Sequence, residues 1–245
     1  RSSDLSGLLI IATTSIGAGI GNSIATESVE KNYKDYMKFT FMYAWLSGWC
    51  TVCLFCLYQP FMYIWVGEKL LFPMLDVVLI CIYFYSLTMG DVRSQYSAAI
   101  GLFWENRVYV LVEAIANIVL NYFLGKKFGV HGIIIATWLS IFFINFGWGS
   151  SIIFKYYFVE YNKIEYYAKQ MLYFLNTIIA TVLTYVITYH INGNIYVKLI
   201  GSAIVCMIVP NIYFLIVYYR TNIAKESYDF IKTNILVRLK RNKGV

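Results

Sequence analysis

The sequence predicts an all-α polytopic membrane protein with about seven transmembrane helices. Of its 245 residues, 60% are apolar and only 13% are charged, and the mean hydropathy is +0.62. A soluble domain has roughly 45–50% apolar and about 25% charged residues. The apolar residues form long runs separated by short charged segments. The 23 Tyr, 17 Phe and 6 Trp also favour aromatic belts at two membrane–water interfaces.

Seven apolar runs are each long enough to cross a bilayer, which takes roughly 20 residues of helix. The runs are residues 5–26, 39–65, 72–92, 107–127, 130–153, 168–190 and 196–219. A transmembrane barrel would instead show alternating segments of ~10 residues. Gly125 and Gly129 lie between the fourth and fifth runs and predict a tight reversal of the chain there.

The runs and loops predict three parts: five spans in residues 1–155, two further spans in 156–219 and a basic tail in 220–245. The loops are shorter than the ~40–50 residues that a separate folded domain needs. Any activity is therefore expected within the helices or at their ends. The tail is either an amphipathic helix on an anionic membrane surface or a solvated basic segment, and neither interpretation requires nucleic acid.

The basic residues predict the orientation of the chain. With seven spans, 15 of the 20 Lys and Arg residues fall on one side of the membrane and five on the other. The positive-inside rule places the richer side in the cytoplasm. The C-terminus is therefore predicted to be cytoplasmic.

The fourth run carries one polar stripe, formed by Tyr109, Glu113, Asn117 and Asn121 at intervals of four residues. Residues four apart share one helix face, and in lipid such a face must meet protein or water. The stripe therefore either holds helices together through hydrogen bonds or forms the wall of a cavity. Glu113 could in addition bind and release a proton as a coupling site.

Three further polar residues lie in or near the predicted spans. Asp91 and Arg93 lie at the cytoplasmic end of the third run, and their spacing prevents them from facing each other on one helix. They are either interface residues or part of a cytoplasmic mouth. Asn22 lies near the end of a first run rich in small residues, which predicts either tight packing or the lining of a hydrophilic lumen. No Lys or Arg is expected at mid-span.

We predict no cofactor, no metal site and no enzymatic activity. His131 and His190 are expected to be isolated at the outer surface. Cys50, Cys53 and Cys56 lie in an apolar run and are interpreted as small packing residues. The sequence contains no phosphate-binding glycine loop, nucleophile elbow or paired carboxylates of the hydrolase type.

Five segments resemble one family of transporters. They are SIGAGIGNSIATES at 15–28, EKNY at 30–33, GLFWENR at 101–107, EAIANIVLN at 113–121 and KKFGVHG at 126–132. In order and character they resemble the helix-and-loop patterns of the Wzx-type polysaccharide repeat-unit flippases, which belong to the multidrug/oligosaccharidyl-lipid/polysaccharide exporter superfamily. The resemblance covers residues 5–155.

The resemblance implies a fourteen-helix transporter with two lobes around a central cavity. This chain would be its C-terminal half, consisting of the second lobe and two peripheral helices. The implied function is alternating-access translocation of undecaprenyl-pyrophosphate-linked oligosaccharide repeat units across the bacterial cytoplasmic (inner) membrane, for O-antigen or capsule assembly. The implied partners are the lipid-linked oligosaccharide, membrane lipids, a polysaccharide polymerase and a chain-length regulator.

If the chain functions as this resemblance implies, four residues are candidates for lining the cavity or contacting substrate: Asn22, Glu113, Asn117 and Asn121. Two alternatives remain. One is a drug or ion antiporter of the same superfamily, with Glu113 as its coupling site. The other is an integral-membrane polysaccharide polymerase or acyltransferase, which would require a larger extracytoplasmic loop or a histidine–acid pair.

Overall fold

The computed structural model describes the backbone of residues 19–242 and the side chains of residues 19–233. Residues 19–26 are helical. They are followed in the described part by α1 Val29–Val66, α2 Met74–Thr88, α3 Asp91–Ile100, α4 Phe103–Phe128, α5 Val130–Leu139, α6 Gly149–Tyr156, α7 Lys163–Tyr189, α8 Ile195–Tyr218 and α9 Asn222–Asn242. A π-helix, Ser140–Trp148, joins α5 to α6, and a short 3-10 turn, Glu68–Leu70, follows α1.

Within residues 19–242, six helical rods are long and apolar enough to cross a membrane. They are Val29–Val66, Met74–Ile100, Phe103–Phe128, Val130–Tyr156, Lys163–Tyr189 and Ile195–Tyr218. The second rod contains α2 and α3, and the fourth contains α5, the π-helix and α6. The protein is thus an all-α polytopic membrane protein, as predicted. These rods correspond to the last six predicted spans, whereas most of the first, 5–26, lies outside the described residues.

The first rod begins ten residues before its apolar run, because charged side chains extend the helix beyond it. Ser28 caps the helix by accepting a hydrogen bond from the Lys31 backbone N–H at 3.2 Å. Asp35 then pairs with Lys31 at 2.7 Å and with Lys38 at 2.8 Å, one turn away on either side. At ~1.5 Å per residue the helix is about 57 Å long, far more than the ~30 Å hydrocarbon core.

Tyrosines form the centre of the bundle at the end where α1, α4 and α7 begin, which we call the basic end. Tyr36 on α1 is fully buried and stacks on Tyr166 of α7, with ring centroids 5.5 Å apart. Its ring also meets Tyr96 of α3 edge-on at 5.1 Å. Membrane-interface belts alone therefore do not account for the aromatic residues, since these three pack inside the protein.

A second aromatic cluster joins α1 to α7 and α8. Phe41 on α1 packs edge-on against Tyr173 and Tyr218, at centroid distances of 5.7 and 5.3 Å. Phe214 completes the cluster on α8. Helices α1 and α7 both contribute to the two clusters, so together they connect α8 to the rest of the bundle. The division between residues 1–155 and 156–219 stays a prediction.

Helices α4 and α5 form a tight hairpin. Gly129 has φ +62° and ψ −136°, a conformation that residues with a side chain rarely adopt, which confirms the predicted reversal. Gly125, by contrast, stays inside α4. A Cβ atom added at Gly132 would lie 2.0 Å from the Leu124 carbonyl oxygen, so glycine allows the two backbones to approach this closely.

Residues 157–161 connect α6 to α7 at the basic end and cover the start of α1. Tyr161 stacks on Tyr33, with ring centroids 3.7 Å apart. The Asn32 amide donates to the Tyr157 hydroxyl at 3.0 Å. Burial raises the pKa of the Tyr157 phenol, and the hydrogen bond from Asn32 offsets part of that rise. The pKa stays above its ordinary value, so the phenol is protonated at neutral pH.

Candidate functional site: a buried arginine joined to Glu113

Arg93 lies inside the bundle and not at its surface. The sequence predicts that the third span ends at residue 92, but the helical rod continues to Ile100, seven residues beyond Arg93. The Arg93 side chain is only 1% exposed. Arg93 therefore lies within a span but near its end, whereas the sequence predicts that the span ends just before it. Since Arg93 contacts Tyr109, six residues into α4, its guanidinium lies about 9 Å from the start of that helix.

The guanidinium of Arg93 is held by neutral groups. It donates to the Tyr109 hydroxyl at 3.0 Å, to Asn145 Oδ1 at 2.9 Å and to Ser94 Oγ at 3.1 Å. It also lies 5.5 Å from the centre of the Tyr109 ring. Among the described side chains, no carboxylate lies within ion-pair distance of it. Its Nε atom is buried and has no hydrogen-bond partner among those residues.

Asn145 connects this cation to a carboxylate. Its Oδ1 accepts from Arg93, and its Nδ2 donates to Glu113 Oε2 at 2.8 Å. One amide therefore joins a positive side chain on α3 to an acidic side chain on α4, an arrangement that we call the amide bridge. Asn145 lies in the π-helix, whose wider turn changes the direction of the side chains that follow it.

Two glycines leave room for the guanidinium. A Cβ atom added at Gly149 would lie 2.3 Å from Arg93 Nη1 and 3.1 Å from the Tyr109 ring. One added at Gly90 would lie 3.1 Å from Asn145 Oδ1 and 3.3 Å from Arg93 Nη2. Gly149, near the end of the fourth rod, and Gly90, in the second rod, thus have a specific function in the packing around Arg93.

The polar stripe on α4 faces α5 and the π-helix, and its members differ in their contacts. Tyr109 is buried against Arg93, and Glu113 is half-buried against Asn145. Asn117 accepts from the Asn121 amide at 2.8 Å, while the Asn121 oxygen is buried without a partner among the described residues. At Glu113 the stripe therefore forms a hydrogen bond between helices. Whether the stripe also borders water stays a prediction.

The other candidate residues lie apart from the amide bridge. Asp91 accepts a hydrogen bond from the Tyr43 hydroxyl on α1, and it forms no ion pair with Arg93 among the described side chains. Asn22 is exposed, and its backbone carbonyl accepts from the Thr26 hydroxyl at 2.8 Å. None of the hydrogen bonds among the described residues links Asn22 to the amide bridge.

Two residues that bind the candidate side chains were not predicted from the sequence. They are Tyr43, which donates to Asp91, and Asn145, which forms the amide bridge. Asn145 is a single amide in an apolar run, and such an amide requires a polar partner inside a membrane. That signal is visible in the sequence, but the identity of the partner is not.

His131 also differs from expectation, because it is not isolated. Its Nε2 lies 3.1 Å from Asp76 Oδ1, at the end of the bundle opposite the basic end.

Comparison of this chain with protein-family models, with curated proteins and with solved structures gives no match. The functional argument therefore depends on the residues of the chain and their geometry.

Proposed function

We propose that this chain is part of a transporter that moves undecaprenyl-pyrophosphate-linked oligosaccharide repeat units across the bacterial cytoplasmic membrane by alternating access. The observation that carries the proposal is the amide bridge between Arg93 and Glu113 inside the spans. A charged side chain at the centre of a membrane-spanning helix costs ~2.5–3.5 kcal/mol on insertion scales, and ionisable residues within spans are rare. Ionisable side chains that are retained within spans are functional candidates.

The chemistry of Arg93 suits an anionic lipid-linked substrate. A guanidinium binds phosphate oxygens through several N–H donors at once. Among the described residues, the unpartnered Nε and the neutral partners of the other nitrogens leave its charge without a direct counter-ion. A pyrophosphate group would supply that charge, and the Asn117 and Asn121 amides would offer hydrogen bonds to sugar hydroxyls.

Helix α4 is the element that would move. It packs mainly on α5, the π-helix and α6, and only 6% of its apolar segment is buried. Its links to α3 include the Arg93–Tyr109 hydrogen bond and one from Asn106 to Ser97 at 2.7 Å. Breaking these few polar links would open Arg93 to a cavity, which is the change that alternating access requires.

Gene deletion and complementation test the proposal. Deleting the gene that encodes this chain should reduce surface polysaccharide and leave lipid-linked repeat units on the cytoplasmic leaflet, and the wild-type gene should restore export. Arg93→Ala should fail to complement, whereas Arg107→Ala, an exposed arginine stacked on Trp104, should succeed. Surface polysaccharide that is unchanged in the deletion strain would contradict the proposal.

The half-buried carboxylate of Glu113 favours one second candidate, a cation-coupled drug or ion antiporter. Its hydrogen bond with Asn145 joins this carboxylate to a second span. That candidate predicts drug efflux that Glu113→Gln abolishes and that Glu105→Gln, on the first turn of the same helix, leaves intact. Normal efflux in the deletion strain would exclude it.

A further inference from the structure

An apolar groove runs between α1, α8 and the start of α9, away from the amide bridge. Its volume is about 770 Å³, within the ~300–1,000 Å³ typical of small-molecule sites. Its wall on α1 extends from Phe41 to Trp49, which is about 12 Å at ~1.5 Å per residue. This length is close to one hydrocarbon leaflet, about half of the ~30 Å core.

The indole and amide groups that α1 and α8 place in the wall of the groove are already hydrogen-bonded within the protein. Trp45 Nε1 donates to Asn211 Oδ1 at 2.9 Å, and Trp49 Nε1 donates to the Cys206 carbonyl at 2.9 Å. The Asn211 amide itself donates to the Met207 carbonyl. The two indoles consequently present carbon surfaces to the groove, which suits an apolar chain better than a sugar or a peptide.

The edge of the groove on α9 carries one basic side chain, Lys225. Lys225 lines it and is exposed, and none of the ion pairs among the described side chains involves it. Asp229 also lines the groove. Lys225 is the basic side chain of the lining, and it offers a positive charge to an anionic group at the mouth of the groove.

We infer that the groove binds one acyl chain of an anionic membrane phospholipid, with the headgroup phosphate beside Lys225. The apolar wall holds the chain, and Lys225 selects the headgroup. The lipid fills the gap under α9 and fastens that helix to α1 and α8. This site is independent of the proposed transport, because lipid retention is measured without a transported substrate.

Native mass spectrometry tests the site on the full chain, released from nanodiscs of equal phosphatidylglycerol and phosphatidylethanolamine. Wild type should retain one phosphatidylglycerol. Leu215→Trp, which fills the groove, should lose it. The matched control is Ile216→Trp, the next residue on α8, which is 65% exposed and does not line the groove. It should retain the lipid.

A second pair of variants tests the headgroup contact with little risk to folding. Lys225→Gln should weaken phosphatidylglycerol retention about fivefold, equivalent to ~1 kcal/mol for one basic residue. Lys232→Gln, an exposed α9 residue outside the groove, should change it little. Equal retention of the two lipids by wild type, or wild-type retention by Leu215→Trp or Lys225→Gln, would overturn the inference. Displacement of phosphatidylglycerol by equimolar undecaprenyl phosphate would also overturn it, because the groove would then hold a polyprenyl chain.

Discussion

Arg93 and Glu113 carry opposite charges on neighbouring helices, and the side-chain amide of Asn145 joins them at 2.9 Å and 2.8 Å. The two charges are thus connected without direct contact. An amide can change partners more readily than a direct ion pair, because it is neutral and both of its hydrogen bonds are replaceable. The arrangement can therefore stabilise one conformation while leaving Arg93 available for an anion in another.

The amide bridge predicts energetic coupling between Arg93 and Glu113. Arg93→Gln and Glu113→Gln should each lower the free energy of unfolding by ~1–3 kcal/mol, because each leaves a polar partner unsatisfied. The double variant should lose less than the sum, with a coupling of ~0.5–3 kcal/mol. Chemical unfolding in detergent measures all four proteins. Strictly additive losses would mean that Asn145 transmits nothing between the two side chains.

Gly149 should be intolerant of a side chain. Gly149→Ala places a methyl group against Arg93 and Tyr109, so we expect a loss of ~1–3 kcal/mol, as for other overpacked interiors. Gly147→Ala is the matched control, because the nearest atom to its added Cβ is a backbone oxygen at 3.4 Å. Thermal unfolding of the purified variants compares them. Equal melting temperatures for the two would contradict the contact with Arg93.

The polar stripe should be reachable from water in the transporting protein. On a background without the five native cysteines, Asn117→Cys should react with a membrane-impermeant thiol reagent from at least one side. Ile118→Cys should not, since that position is 69% exposed on an apolar face of α4 and would contact lipid. Absence of reaction at 117 from both sides would limit the stripe to helix packing and would remove the proposed cavity.

The orientation predicted from charge can be tested with two reporters. A fluorescent protein fused after Val245 should fold and fluoresce, because the C-terminus is predicted to be cytoplasmic. Alkaline phosphatase inserted between Asn192 and Gly193, in the loop between α7 and α8, should be active on the other side. Exchanging the two reporters should give two inactive fusions. Phosphatase activity at Val245 would reverse the orientation.

The spans were predictable from the sequence because membrane insertion depends on local composition. A run of about 20 apolar residues satisfies its own backbone as a helix wherever it lies in the chain. Each of the last six predicted spans thus matches an observed rod. The prediction was less accurate at charged ends, where hydropathy falls but the helix continues, as at Asp35 on α1 and Arg93 on α3.

The sequence by itself determined the helices, the reversal at Gly129 and the polar face of α4. Only the tertiary structure decided what that face meets. Arg93 lies 52 residues from Asn145, and Asn145 lies 32 residues from Glu113. Their meeting depends on how three helices pack and on the π-helix that directs Asn145. A period of four residues identifies a helix face, but it carries no information about the helix opposite, so the partner of a buried charge emerges only from packing.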